Sequence, residues 1–263
     1  MGSATTQALA ATTRALDAAS GVNLDVAREL FAAARAAGET SQLSGALADS
    51  AAPIEARRAV IASVFSPTST ATTSALLNAV VDQRWSSAAD LVDGIEELAI
   101  RAAAVAEPQV DLGAELFQFS RTVAENPELE LALGSRLGDV AAKGALVQNL
   151  LGTRASEATT VILASMVQAP NERRVRELIA RASHLVADQR GRSVATVYTA
   201  APLSAAQAER LAATLSQRYG NAVTLNTVID PSVVGGLRVQ IADDVIDASV
   251  SARLADLRQR LAS

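Results

Sequence analysis

A block of helical sequence occurs twice in this chain, and that limits its possible folds more than any other feature. Leu30-Phe31 recurs as Leu116-Phe117, Leu43 as Leu129, Leu47 as Leu133 and Ala59-Val60-Ile61 as Ala145-Leu146-Val147, each 86 positions later. With a one-residue slip, Ala71-Thr72-Thr73 meets Ala158-Thr159-Thr160, and Leu91-Val92 meets Leu178-Ile179, at a spacing of 87. Any two amphipathic helices can be slid into agreement. A register held through about five helices with one insertion points instead to duplication. In this alignment the opening helix, Thr5 to Ala19, has no counterpart ahead of the second copy.

Within each copy the apolar residues fall at helical spacing. Leu91, Ile95, Leu98 and Ala102 form one stripe and Leu112, Leu116, Phe119 and Val123 another, both at steps of four, three and four. Asn23 is placed to cap a helix that stops near Gly38, Pro53 to begin another, and a further helix is expected from Thr72 to Gln83. Hydrophobic residues make up 49% of the chain but aromatics only 3%, so alanine carries the excess and tight helix packing follows.

Near Arg190-Gly191-Arg192 the pattern changes. Ser193 to Thr199 alternates with β-branched residues, as a strand does. A helix introduced by Pro202-Leu203-Ser204 should end at Tyr219-Gly220, followed by strands Ala222 to Ile229 and Leu237 to Ile241. A turn at Ala242-Asp243-Asp244 then leads through Val245-Ile246-Asp247 to a last amphipathic helix carrying Val250, Leu254, Leu257 and Leu261. The expected fold is mainly α: a duplicated N-terminal helical bundle followed by a small α/β C-terminal domain. The expected domains are 1–107, 108–190 and 191–263.

Catalytic chemistry finds little support. The absence of cysteine removes disulfides, thiolate metal sites and a thiol nucleophile, and the single histidine excludes His-pair zinc motifs. His184 stands on a helix with no Ser or Asp at catalytic spacing and reads as a surface or packing residue. Gly235-Gly236 opens a strand and lacks the Lys-Ser/Thr of a phosphate loop, so a tight turn or bulge is expected there. Asp243, Asp244 and Asp247 lack the spacing of a calcium loop and suit a turn with a helix cap. Trp85 either anchors an interface or covers the end of the bundle. Arg173, Arg174, Arg176 and Arg181, interleaved with Glu172 and Glu177, read as a solvated face, with an acidic partner as the alternative. No catalytic, cofactor or metal site is expected. The net charge of −5 argues against nucleic-acid binding.

Membrane insertion is not expected either. The longest uncharged run, Ala59 to Val81, is broken by Ser66-Pro67-Thr68-Ser69-Thr70, and the N-terminus shows no secretory signal pattern.

The tail carries a specific resemblance. Val233-Val234-Gly235-Gly236-Leu237-Arg238-Val239-Gln240-Ile241, then Asp243-Asp244-Val245-Ile246-Asp247-Ala248-Ser249-Val250, then Leu254 and Leu257, resembles the C-terminal signature of the F-type ATP synthase delta subunit family, whose mitochondrial counterpart is the oligomycin-sensitivity-conferring protein. Thr199-Ala200-Ala201-Pro202-Leu203-Ser204 and Val228-Ile229-Asp230-Pro231-Ser232 fit the same pattern upstream. Ala242 departs from it, standing where the family often has glycine. More loosely, Ala75 to Arg84 and its continuation are similar to the fifth and sixth helices of the family's six-helix N-terminal domain. Ordinary members have one such domain. The enlarged helical region is similar to that of actinobacterial relatives, some of which fuse it behind a membrane-anchored b-type segment. No such segment stands here, so the resemblance implies a separate b-type chain.

The resemblance also implies a mechanical role with no catalysis. Such a subunit joins the crown of the catalytic head to the peripheral stalk, at the cytoplasmic face of the cell membrane, so that rotor torque drives ATP synthesis and does not spin the head. Its N-terminal domain receives amphipathic N-terminal helices of the alpha subunits between its first and fifth helices, and its C-terminal domain binds the b stalk. Carried onto this chain, the groove would include Leu9, Leu16, Leu76, Leu77 and Val80 of the first copy, and the stalk would meet Arg253, Arg258 and Arg260. The alternative is that these apolar residues, Leu76 above all, form the bundle's own core. A helical adaptor unrelated to ATP synthase is the alternative function.

Overall fold

The computed structural model describes residues 2–135, 138–170, 173–233, 235–241 and 244–250. The chain divides into two compact units, Met1–Val186 and Ala187–Ser263. The first contains α1 (Ser3–Ala18), α2 (Leu24–Glu39), α3 (Ser41–Ala48), α4 (Ile54–Val64), α5 (Ala71–Val81), α6 (Ala88–Ala106), α7 (Leu112–Glu125), α8 (Pro127–Gly134), α9 (Val140–Leu151) and α10 (Glu157–Gln168). The boundary between the units falls within α11 (Val175–Gln189).

Polar residues fix the helix starts. Asn23 accepts from the Val26 N–H at 3.1 Å, Ser87 from the Asp90 N–H at 3.1 Å and Asp111 from the Ala114 N–H at 3.1 Å. Pro53 stands just ahead of α4 and not at its first residue, with helix starting at Ile54. The short helices α3 and α8 were not expected. Each offers a single turn or two of apolar residues, Leu47 or Leu133, to the core.

The duplication is visible in the element starts: α3 and α8, α4 and α9, and α5 and α10 each begin 86 residues apart. It is also visible in side-chain chemistry. The Glu29 carboxylate accepts from the Thr70 N–H (2.8 Å), Thr70 Oγ1 (2.9 Å) and Thr73 Oγ1 (2.5 Å). Glu115 accepts likewise from the Ser156 N–H (3.0 Å), Ser156 Oγ (2.6 Å) and Thr159 Oγ1 (2.5 Å). Thr73 therefore corresponds to Thr159 and not to Thr160, which corrects the expected alignment. The slip lies after Thr159, because α10 is one residue longer than α5. Each carboxylate ties the start of α5 or α10 to α2 or α7.

Partial burial alone would raise the Glu29 carboxyl, but the hydrogen bonds from Thr73 and Thr70 outweigh it and hold the group below its ordinary range. A lowered pKa contributes stability above the unfolded-state value, and that contribution is lost as pH falls through the folded value. Glu29→Gln should therefore lower stability by on the order of 1 kcal/mol at neutral pH, with the deficit shrinking in acid. Urea unfolding at several pH values measures this.

The opening helix does have a counterpart. Shifted by 86 residues, α1 falls inside α6, and the buried positions Thr5, Ala8, Thr12 and Leu16 meet Leu91, Gly94, Leu98 and Ala102, also buried. As α1 packs on α5, α6 packs on α10. The helical unit is thus two overlapping six-helix bundles, α1–α6 and α6–α11, that share α6. One continuous hydrophobic core runs through both, from Ala8 to Val186. Serving both bundles leaves α6 buried on nearly every side, including Glu96, Glu97 and Arg101.

In the second unit the strands β1 (Arg192–Thr199), β2 (Ala222–Ile229), β3 (Leu237–Ile241) and β4 (Asp244–Asp247) form one sheet in the order β2-β1-β3-β4. The first pair is parallel and the others antiparallel. Connecting β1 to β2, α12 (Ala205–Tyr219) opens on a Ser204–Gln207 capping box and ends on Gly220 in the left-handed region. Ala195, Val197, Leu215, Val223, Val239 and Ile241 make the core. The fourth strand was not expected; the Val245-Ile246-Asp247 segment pairs with β3 before any helix begins. Gly235 and Gly236 turn the chain into β3 with φ of 65° and 85°. A Cβ on Gly236 would lie 2.4 Å from the Ala248 carbonyl oxygen, so glycine is required by close backbone approach. The expected last helix, with Leu254, Leu257 and Leu261, lies outside the described residues.

Candidate functional site

The catalytic candidates dissolve into structure. His184 is exposed on α11. Asp247 accepts from the Ser249 N–H at 2.9 Å and Asp244 from the Tyr219 hydroxyl at 3.1 Å, so these two acids serve local bonds; Asp243 lies outside the described residues. Among the described residues no group of three potential metal-ligating side chains comes together. Trp85 is 5% exposed and covers the α5–α6 corner, donating from Nε1 to the Val80 carbonyl at 2.9 Å.

The arginine cluster is not the expected solvated face. Arg181 reaches α6, donating to Glu96 at 3.0 Å and to the Asp93 carbonyl at 3.0 Å, with Glu97 at 3.8 Å. Arg173 pairs with Asp93 and approaches Glu96 at 3.5 Å. Arg101 donates to Glu97 at 2.9 Å. Three carboxylates and three guanidiniums thus balance within one network. Only Arg174 and Arg176 are exposed, the latter pairing with Glu130 at 2.6 Å. A sequence offers one signal for this: Asp93, Glu96 and Glu97 lie on a helix too apolar to be solvated, and such charges need partners.

The residues expected to line a groove lie on α1 and α5. Of the five residues expected to line a groove there, Leu16, Leu76, Leu77 and Val80 are between 0% and 2% exposed and belong to the core, while Leu9 is half-buried against it. A partner cannot touch the four without opening the bundle. The accessible positions are their neighbours: Thr6, Ala10, Thr13 and Asp17 on α1, and Ala75, Asn78 and Ala79 on α5. Asn78 Oδ1 is buried without a hydrogen-bond donor. The residues expected to meet a stalk, Arg253, Arg258 and Arg260, lie outside the described residues.

The second bundle handles the same surface differently. Where α1 exposes Thr6, Ala10 and Asp17, α6 buries Val92, Glu96 and Ala103; where α5 has half-buried Asn78, α10 has buried Ala164. The covering element is α2, which packs on both α6 and α10. Its Arg28 bonds Glu157 at the start of α10 and its Arg35 bonds Gln168 at the end.

The sequence model for "ATP synthase delta (OSCP) subunit" matches residues 99–261, more than half of the chain. The chain is 46% identical over 264 residues to ATP synthase subunit delta of Leifsonia xyli subsp. xyli, covering all of both chains. It is 39% identical over 268 residues to that of Streptomyces avermitilis, with 99% and 98% covered, and 36% identical over 270 residues to that of Streptomyces griseus subsp. griseus, again covering both fully. The chain belongs to the ATP synthase delta (OSCP) subunit family. Members are non-catalytic stalk subunits. No described helix is long and apolar enough to cross a membrane. The match to the family begins inside α6 and leaves α1 to α5 outside it. The ordinary family portion is thus the second bundle and the tail, and α1–α5 are the addition, one that the full-length relatives share.

Proposed function

We propose that this chain is the stator subunit that links the alpha subunits of the catalytic head to a separate b-type stalk chain. It would lie peripherally at the cytoplasmic face of the cell membrane and hold the head still while proton-driven rotation supports ATP synthesis. Residues 1–107 and 108–190 would act as the two helical copies, sharing α6, and 191–263 as the stalk-binding domain. The head would dock an amphipathic N-terminal alpha-subunit helix on the outer face of α1 and α5, with Leu9, Leu16, Leu76, Leu77 and Val80 forming the floor from within. Arg253, Arg258 and Arg260 would meet the b stalk.

The observation that carries the head contact is the face itself. It is built largely of alanine and threonine, with Thr6, Ala10 and Ala75 exposed and Thr13 and Ala79 half-buried. Small residues let a partner helix approach closely. Aspartate at Leu77 or Val80 would be a poor test, because a charge at a wholly buried position unfolds the bundle. Ala75 is exposed on α5 and suits the purpose. Ala75→Glu should weaken binding of the alpha N-terminal peptide by about tenfold or more, roughly 1.4 kcal/mol. The melting temperature should stay unchanged. Unaltered affinity in calorimetry would remove this face from the interaction.

A further inference from the structure

The two bundles each present the same pair of helices, α1/α5 and α6/α10, yet among the described residues only one pair is covered. The pairings of α10 with α6, α7 and α9 have equivalents on α5, with α1, α2 and α4. The contact between α10 and α2 has none among the described residues. Helix α2 therefore stands on the second bundle where a foreign helix could stand on the first.

From this we infer that the second bundle's groove is closed by the chain's own α2, and that the first bundle's groove takes one partner helix in the corresponding pose, parallel to α5 and antiparallel to α1. The inference rests on the head-docking reading above and adds stoichiometry and polarity to it. The polarity comes from three contacts. Arg28, near the start of α2, bonds Glu157 at the start of α10, and Arg35, near its end, bonds Gln168 at the end, so these helices run the same way. Gly38, at the end of α2, lies beside Val92 near the start of α6: a Cβ there would be 3.5 Å from Val92 Cγ1. Helices α2 and α6 thus run oppositely.

Translated by the repeat, the partner's first turn falls near Asp17 and Ala71, and its last near Thr6 and Asp82. The occupant is an amphipathic helix of large and small apolar residues, because α2 meets its neighbours through buried Leu30 and Phe31 as well as Ala33, Ala34 and Ala37. The family's own portion of the chain carries the closed groove, and the added helices carry the open one. On this view the addition moves the docking site outward by one bundle and fills the vacated site with its second helix.

The absence of cysteine makes the test direct. The full chain carrying either Asp17→Cys or Thr6→Cys is mixed with the alpha N-terminal peptide bearing one cysteine at its N-terminal end. Calorimetry on the unmodified chain should give one peptide per chain. A disulfide should form with Asp17→Cys and be lost with Thr6→Cys, and moving the peptide's cysteine to its C-terminal end should exchange the two results. Two peptides per chain, or the opposite crosslinking pattern, overturns this inference while leaving head docking intact. No saturable binding at all removes the docking reading, and this inference falls with it.

Discussion

Arg181→Ala is expected to destabilise the helical unit by about 3–5 kcal/mol, the loss seen when one member of a buried ion network is removed. The Arg181 side chain is 17% exposed and faces Glu96, itself 4% exposed. It bonds both a carboxylate and a main-chain carbonyl of α6, so its loss removes two donors from the interior and leaves Glu96 to Arg173 at 3.5 Å. A surface pair would lose little, because water replaces the partner. Fluorescence of the single tryptophan, which sits in this unit, follows urea unfolding in the wild type and the variant alike. A shift within the range of an exposed pair would show that the network is ornamental to stability.

The same network sets a pH signature opposite to that of Glu29. Burial pushes the Glu96 carboxyl above its ordinary range, against the pull of Arg181 and Arg173. A raised carboxyl binds its proton more tightly in the folded chain, so its ionisation costs stability as pH rises through the folded value. Without Arg181 that cost grows. The Arg181→Ala deficit should therefore be largest at neutral pH and should narrow as pH falls toward the ordinary carboxylate range.

The helical grammar was legible because apolar spacing, caps and glycine turns are local signals. Asn23, Gly220 and the β-branched run of β1 act as their types dictate. The duplication was legible as well, but its overlap was not. Helix α6 resembles α1 only in which positions are buried, and threonine at 5 and 12 meets leucine at 91 and 98, so identity gives no hint. Likewise Leu76, Leu77 and Val80 carry the hydrophobicity of both a core and a groove floor, and only packing separates the two. The arginine cluster misled for a related reason: spacing along α11 says nothing about the carboxylates of a helix 80 or more residues earlier in the chain.

Sharing one helix between two bundles has a mechanical consequence. Two domains joined by a linker bend at the linker, whereas bundles with a common core and a common central helix bend only by disturbing that core. The stator role proposed above, which resists torque between head and stalk, would gain from this. The buried charges of α6 then have a structural reason: they join α11 to α6 in the second bundle, where α1 in the first bundle meets α6 through apolar packing and the Thr5 Oγ1 bond to Asp90 at 2.9 Å.

Trp85→Ala should cost about 3–5 kcal/mol, the usual range for removing a large buried aromatic. The ring sits between α5 and α6, with its Nε1 on the Val80 carbonyl and its six-membered edge flat against Gly94. A Cβ on Gly94 would lie 2.2 Å from Trp85 Cη2, so the glycine is the bed that lets the ring enter. Alanine at 85 leaves a cavity bounded by the backbone of α6, which cannot collapse because α6 is held by both bundles. Trp85→Phe keeps most of the ring and loses the hydrogen bond, so it should cost roughly 1–2 kcal/mol. Urea unfolding followed by circular dichroism measures both. If the ring were instead an exposed anchor for a partner, the alanine variant would unfold like the wild type and lose only binding.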